Sequence, residues 1–186
     1  DSLGSRGLGD VYKRQPQDPV EPIQHELEDT EPAPEEDVAL DGEIPFDPWD
    51  NHRIDIAQYV WGPGYCGPGG PEHIVAISKL LALSPELSMA DIGAGLGGPM
   101  RTLVEHFGVW LTGYEESNAL VEAGNELSKM AGMSKKAPIL MFTPNIAYDF
   151  DRHYDRFLAK ESLYQIEDKA SLLKSIEEAL KPEGLI

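Results

Sequence analysis

The sequence has a single cysteine, Cys66, among its 186 residues, and this scarcity already excludes some kinds of protein. One cysteine can form neither an intrachain disulfide nor a thiolate metal site, which favours a reducing compartment. No apolar run approaches the roughly 18 residues needed to cross a bilayer, and no charged segment followed by an apolar one marks a secretory signal. The sequence therefore predicts a soluble cytoplasmic protein with no membrane anchor and no metal site.

Basic side chains are also scarce, because 15 Lys and Arg stand against 33 Asp and Glu, for a net charge of -18. Such a charge repels phosphate backbones, and without a basic cluster the sequence indicates that the protein does not bind nucleic acid. The acids concentrate in residues 16–50, which hold 13 of them with seven prolines and no Lys or Arg. That composition predicts a disordered acidic leader, and it leaves residues 51–186 as one folded domain.

Neither end of the chain resembles the natural end of a gene product. Residues 5–15, SRGLGDVYKRQ, resemble the in-frame translation of a transposon-end sequencing adapter, so we expect residues 1–15 to be a scar outside the fold. The chain stops at Ile186, two residues after a Pro/Gly turn that leads toward a new strand. We therefore expect a C-terminally incomplete domain, truncated near the start of its fifth strand.

Between these ends the apolar pattern alternates between helix and strand periods. Helical spacing predicts helices over residues 73–83, 99–107, 119–130 and 169–180, and short apolar runs predict strands over residues 87–92, 109–114, 139–142 and 156–159. Strands separated by helices favour a parallel sheet with helices on both faces. The predicted fold class is therefore α/β, with a Rossmann-like doubly wound sheet.

The glycine-rich turn DIGAGLGGP, at residues 91–99, is the segment most informative about function. A strand that enters glycines and then a helix lets the backbone approach a ligand closely, with helix N-terminal NH groups nearby. The glycines also satisfy the GxGxxG pattern of dinucleotide-binding domains, so a nicotinamide-dependent oxidoreductase is one alternative. Asp91 precedes the first glycine by two residues, and Glu115 ends the next strand, where it could bind both ribose hydroxyls of a nucleoside. These two acids favour a different family.

This order of motifs resembles the class I S-adenosylmethionine-dependent methyltransferases, whose first motif is an acid followed by GxGxG and whose second is an acid ending the second strand. The resemblance covers about residues 55–186. It extends to YDRFLAKESLYQIEDK at residues 154–169, which is similar to the family's fourth strand and following loop. It also includes ALKPEG at residues 179–184, which is similar to the turn into the fifth strand.

The resemblance implies S-adenosyl-L-methionine as the cofactor and assigns its contacts. Gly93, Gly95 and Gly97 would border the methionine part of the cofactor. Asp91 would lie close to its amino group, and Glu115 would bind its ribose. Adenine binding in this family often uses an acid after the third strand. Here that region reads FTPNI at residues 142–146, so Asn145 is the candidate.

A second segment, QYVWGPGYCGPGGP at residues 58–71, predicts an ordered loop with hydrophobic anchors, neither helix nor strand. It resembles the loop that covers the cofactor in phosphoethanolamine N-methyltransferases and related small-molecule N-methyltransferases. In that comparison Tyr65 matches a tyrosine lining the site, and Glu161 matches an aspartate of the loop after strand four. The tyrosine that usually pairs with a catalytic histidine falls on Ala57, and the histidine falls on Gln165. Phosphoethanolamine is therefore not carried over as the acceptor.

We therefore predict S-adenosylmethionine-dependent methyl transfer to a small-molecule acceptor, in the first place an amine. The sulfonium already supplies the leaving group, so the protein mainly aligns the reactants and excludes water. The candidate catalytic residues are Tyr65, Glu161 and Gln165, of which Tyr65 and Glu161 could accept the proton of an amine. Because the usual catalytic pair is replaced, a non-catalytic cofactor-binding module is a second alternative.

Overall fold

The centre of the fold is a parallel sheet whose strands follow the spatial order β3-β2-β1-β4-β5. The computed structural model describes residues 47–142 and 149–186, and the strands are β1 (Ser88–Ile92), β2 (Trp110–Glu115), β3 (Ile139–Met141), β4 (Tyr154–Leu158) and β5 (Leu180–Leu185). The chain winds in one direction from β1 to β3 and then crosses back to β4 beside β1. Ligands of open α/β sheets bind at such a switch point, beyond the carboxyl ends of the strands. The predicted doubly wound sheet is confirmed.

Helices flank this sheet and begin at capping residues that the sequence supplies. They are α1 (Asn51–Trp61), α2 (Gly70–Ser78), α3 (Gly98–Phe107), α4 (Asn118–Met130) and α5 (Lys169–Ala179), with short 3-10 turns at Lys79–Leu81 and Leu163–Gln165. The side chains of Asp50, Ser117 and Asp168 each accept a hydrogen bond from the backbone NH three residues further on, which satisfies a free helix donor. Within the two described stretches, no helix is both long and apolar enough to cross a membrane.

Alternate residues of β1 face two separate hydrophobic clusters, one on each side of the sheet. Met89 is fully buried in a cluster with side chains of α2 and α3, such as Ile74 and Leu103. Ile92 is buried in the other cluster, which includes Leu172 of α5. This alternation follows from the two-residue period of a strand and confirms that helices cover both faces.

Several predicted boundaries were wrong, among them the start of α2, which begins at Gly70 inside the predicted loop. Residues 58–61, assigned to a loop, belong to α1, because the Asp50 cap starts a helix that buries Ile54 and Ala57 and ends only at Gly62, where φ is 102°. The predicted turn before the fifth strand lies inside β5, which starts at Leu180 directly after α5. A register shift between the pairs that β5 forms with β4 accommodates the extra residues.

The domain also starts earlier than the predicted boundary at residue 51. Trp49 packs against a buried cluster that includes Ile54, Leu96 and Leu120. The Asp47 carboxylate accepts hydrogen bonds from the Ser117 hydroxyl, at 2.9 and 2.8 Å. Residues 47–50 are therefore part of the domain. Charge composition alone had assigned them to the leader.

We propose that residues 1–46 are dispensable for stability and that residues 47–50 are not. The composition of residues 1–46 offers too little apolar surface to offset the entropy of ordering. Deleting residues 1–46 should leave the melting temperature unchanged, whereas deleting residues 1–50 should lower it by roughly 5 °C or more, because a helix cap and the Trp49 packing are lost. Differential scanning calorimetry of the two deletions makes the comparison. Equal melting temperatures would contradict the boundary at residue 47.

Candidate functional site

The turn between β1 and α3 adopts a backbone conformation that only glycine accepts readily. Gly93, Gly95 and Gly97 have φ values of 76°, 56° and 72°, in the left-handed region. Space is also limiting, because a Cβ at Gly93 would overlap the side chain of Ser162, and one at Gly98 would overlap a backbone carbonyl oxygen. The turn therefore depends on these glycines for its shape and for its close approach to neighbouring loops.

Glu115, at the end of β2, fixes the position of the glycine turn through hydrogen bonds. Its Oε2 accepts a hydrogen bond from the Gly95 NH at 2.7 Å, and its Oε1 accepts from the NH groups of Glu116 and Ser117 at 3.0 and 3.1 Å. A carboxylate offers about four acceptor positions, so one remains for a ligand. The buried carboxylate is thus oriented by three backbone groups before any ligand binds.

Asp91, at the neighbouring strand end, has no such partners. It lies on β1 between Gly113 of β2 and Leu158 of β4, and the residue is 4% exposed. Among residues 47–142 and 149–186, no hydrogen bond to its carboxylate is found. Burial and, to a smaller extent, the nearby Glu115 raise the pKa of Asp91 to about 7, with Lys160 opposing the rise. An ionised carboxylate that is largely removed from water and accepts no hydrogen bond is costly, so this position beside the cavity favours a cationic ligand.

Both acids face a cavity of about 440 Å³ above the carboxyl ends of the strands. The predicted site residues that line it are Tyr65, Asp91, Gly93, Gly95, Glu115, Glu161 and Gln165. Gly97 is instead the N-cap residue of α3 and lies against the side chains of Ile139 and Arg101. Asn145 lies outside the described residues. The structure thus brings seven of the nine predicted residues to one cavity, a size typical of small-molecule sites.

Tyr65 contributes its ring to this cavity, and its hydroxyl is already engaged. The side chain is buried, and its hydroxyl and that of Thr102 on α3 are 2.7 Å apart. Burial raises the pKa of Tyr65, with the Thr102 contact and Arg101 opposing the rise. The phenol therefore stays protonated at neutral pH. Tyr65 is therefore better placed to form a wall of the cavity than to accept a proton.

Glu161 and Gln165 lie at the exposed rim of the cavity, in the loop after β4. Glu161 has a left-handed φ of 57°, and its Oε2 accepts a hydrogen bond from Lys160 Nζ at 3.0 Å. Gln165 donates from Nε2 to the Tyr164 hydroxyl at 2.7 Å. A left-handed conformation in a residue other than glycine is strained, and such strain is concentrated at functional sites.

Trp49, Arg53 and Lys160 are among the cavity-lining residues that sequence reasoning missed. Lys160 could have been found, because it follows β4 at the carboxyl edge of the strand that neighbours β1. Its Nζ also donates to the carbonyl oxygen of Pro68 at 3.0 Å. Trp49 and Arg53 carried no comparable sequence signal. They reach the cavity through contacts that only the fold creates.

No protein-family model matches the chain. Phosphoethanolamine N-methyltransferase 2 of Caenorhabditis elegans is 31% identical over 139 residues, which are 73% of this chain and 31% of that protein. Cycloartenol-C-24-methyltransferase 1 of Oryza sativa subsp. japonica is 27% identical over 111 residues, 60% of this chain and 32% of that protein. The match therefore spans about a third of the length of either relative.

A solved structure of Haemonchus contortus phosphoethanolamine N-methyltransferase 2, in complex with S-adenosyl-L-methionine, superposes on this chain with a TM-score of 0.65. The sequence identity is 24%, and the match covers 71% of this chain and 31% of that one. The two chains share a fold over the matched region.

Proposed function

We propose that this chain, which has the class I S-adenosylmethionine-dependent methyltransferase fold and resembles the phosphoethanolamine N-methyltransferases, binds S-adenosylmethionine and transfers its methyl group to a small-molecule acceptor. One observation carries the proposal. Asp91 and Glu115 end adjacent central strands and face the same cavity beside the glycine turn. The relatives, which are methyltransferases, favour this function over a nicotinamide-dependent oxidoreductase.

The residues of the cavity fit the chemistry of this cofactor. Its ammonium group would pair with the Asp91 carboxylate, which accepts no hydrogen bond from the described residues, and a ribose hydroxyl would occupy the remaining acceptor position of Glu115. The left-handed glycines leave the space above the turn free of Cβ atoms, so the methionine part could lie against backbone. Two neighbouring acids also favour a positively charged sulfonium.

S-adenosylmethionine supplies an activated methyl group, so this chain contributes alignment and exclusion of water. The loop at residues 62–69, which we call the cover loop, is fixed for that purpose. The Gly98 NH donates to the Gly64 carbonyl at 2.8 Å, and the Gly64 NH donates to Gln58 Oε1 at 2.8 Å. Together with the Lys160 contact to Pro68, these bonds hold the cover loop against the glycine turn.

The acceptor is proposed to be an amine. Four acids, Asp91, Glu115, Glu116 and Glu161, line the cavity against two cations, Arg53 and Lys160, and this balance favours a basic acceptor. With the Tyr65 hydroxyl engaged, Glu161 is the proposed proton acceptor and Gln165 a hydrogen-bonding group for the acceptor. The names of the two relatives give different methyl acceptors. The relatives therefore support the proposed methyl donor more strongly than they support an amine acceptor. We further propose a cytoplasmic location, consistent with the single cysteine.

Calorimetric titration with S-adenosylhomocysteine and a radiolabelled methyl-transfer assay on a panel of small amines test this function. We expect micromolar binding, saturable at one ligand per chain, and transfer of label to at least one amine. Binding without transfer to any acceptor would indicate a non-catalytic cofactor-binding module. Binding of NADH in place of S-adenosylhomocysteine would indicate the oxidoreductase.

A further inference from the structure

The segment before α1 is tied to the loop that carries Glu115, although 70 residues separate the two in the chain. The Ser117 hydroxyl donates to both carboxylate oxygens of Asp47, and the Ala119 NH donates to Oδ2 at 3.3 Å. Burial raises the pKa of Asp47, but hydrogen bonds led by that of the Trp49 NH outweigh burial and hold the pKa below its usual value. Asp47 is therefore an ionised anchor on the N-terminal end of α4.

Ser117 connects this anchor to the cofactor site. Its hydroxyl is held by Asp47, while its backbone NH donates to Glu115 Oε1 at 3.1 Å. The other oxygen of Glu115 accepts from Gly95 in the glycine turn at 2.7 Å. A continuous hydrogen-bonded path therefore runs from Asp47 through Ser117 and Glu115 to Gly95. Such networks restrict the orientation of each member more than isolated bonds do.

The same anchor brings aromatic and cationic groups to the cavity. Trp49 and Arg53 both line it, and the Arg53 guanidinium lies 4.5 Å from the centroid of a Trp49 ring. Arg53 also donates to the Pro48 carbonyl oxygen at 3.0 Å, which fixes the guanidinium to the anchored segment. Trp49 and Arg53 therefore form one wall of the cavity. The segment that carries them is bonded to Ser117, next to Glu115, through the Asp47 side chain.

We propose that Asp47 is a positioning residue that sets the affinity for the nucleoside part of the cofactor by holding Ser117, and through it the Glu115 carboxylate, in the orientation that binds ribose hydroxyls. The inference rests on the proposed function, because it assigns Glu115 to the ribose. Asp47 itself touches neither the cofactor nor the acceptor. It acts through Ser117 and Glu115, as groups behind a binding residue commonly do.

Calorimetry with S-adenosylhomocysteine on Asp47→Asn tests the proposal, with Asp50→Asn as matched control. Asp50 lies in the same segment but caps α1 by accepting from the Arg53 NH, and Asn is an equally good cap. Asp47→Asn should weaken binding about tenfold, and Asp50→Asn should stay within about twofold of the unmodified protein. If the unmodified protein does not bind, the proposed function fails. If it binds and Asp47→Asn binds equally well, the positioning role is refuted.

A double-mutant cycle separates positioning from a general loss of stability. In the Glu115→Gln background, adding Asp47→Asn should weaken binding by less than about twofold, because the residue through which Asp47 acts is already altered. A full additional tenfold loss would overturn the proposal. If Asp47→Asn is unfolded at the assay temperature, Ser117→Ala replaces it, since it removes the hydroxyl link and keeps the NH bonded to Glu115. Unchanged affinity of Ser117→Ala would refute the proposal equally.

Discussion

Glu115→Ala should weaken the binding of S-adenosylhomocysteine by at least about a hundredfold. The variant loses the charge-assisted hydrogen bond to a ribose hydroxyl at the one free acceptor position of the carboxylate, which contributes about 1.5 to 3 kcal/mol. It also frees the NH of Gly95, which Glu115 Oε2 holds at 2.7 Å, so the glycine turn loses part of its support. Isothermal titration calorimetry at pH 8 measures the change directly.

Glu116→Ala is the matched control for this experiment. Glu116 follows Glu115 in sequence and also lines the cavity, but its side chain is exposed. Burial and the nearby Glu115 raise the pKa of Glu116 above its usual value. We expect its removal to change the affinity by less than about threefold. If Glu116→Ala abolishes binding and Glu115→Ala does not, the ribose assignment belongs to Glu116.

The placement of Asp91 and Glu115 at one cavity could be predicted from sequence because its determinants are local. Asp91 precedes the glycines by two residues, and Glu115 directly follows an apolar strand pattern. Parallel strands bring their carboxyl ends to one edge of a sheet, so two acids at neighbouring strand ends must lie close together. The observed register of β1 and β2 agrees with this expectation, because it pairs Asp91 with Gly113, two residues before Glu115.

The remainder of the site depends on contacts between distant parts of the chain. Asp47 and Trp49 belong by composition to the acidic leader, and only tertiary packing against α4 makes them part of the domain. The same limit applies to Tyr65, whose sequence matches a site tyrosine but whose hydroxyl turns to Thr102. Composition predicts whether a segment would fold in isolation. The positions of these residues are instead set by the distant residues that they contact.

The affinity for the cofactor should fall as the pH is lowered through about 7. The pKa of Asp91 is raised to about 7, first by burial and then by Glu115, with Lys160 opposing. Above that pH the carboxylate is ionised and attracts the ammonium of the cofactor, and below it the neutral acid does not. Affinity for S-adenosylhomocysteine should therefore decrease by up to about tenfold per pH unit below 7. Calorimetry between about pH 5.5 and pH 8.5, a range that brackets this pKa, measures the affinity as a function of pH.

Asp91→Asn should remove this pH dependence, weaken binding by about a hundredfold or more, and yet stabilise the protein without ligand at pH 8. A carboxyl pKa raised from 3.8 to about 7 contributes stability that is present below pH 3.8 and is lost as the pH rises to 7. Above pH 7 the loss amounts to roughly 4 kcal/mol, which a neutral amide avoids. Chemical denaturation at pH 8 and pH 4 should show the gain at the higher pH and little of it at the lower. A destabilised Asp91→Asn at pH 8, or one that binds S-adenosylhomocysteine normally, would show that Asp91 is a structural residue of β1 and that the cavity is held by other groups.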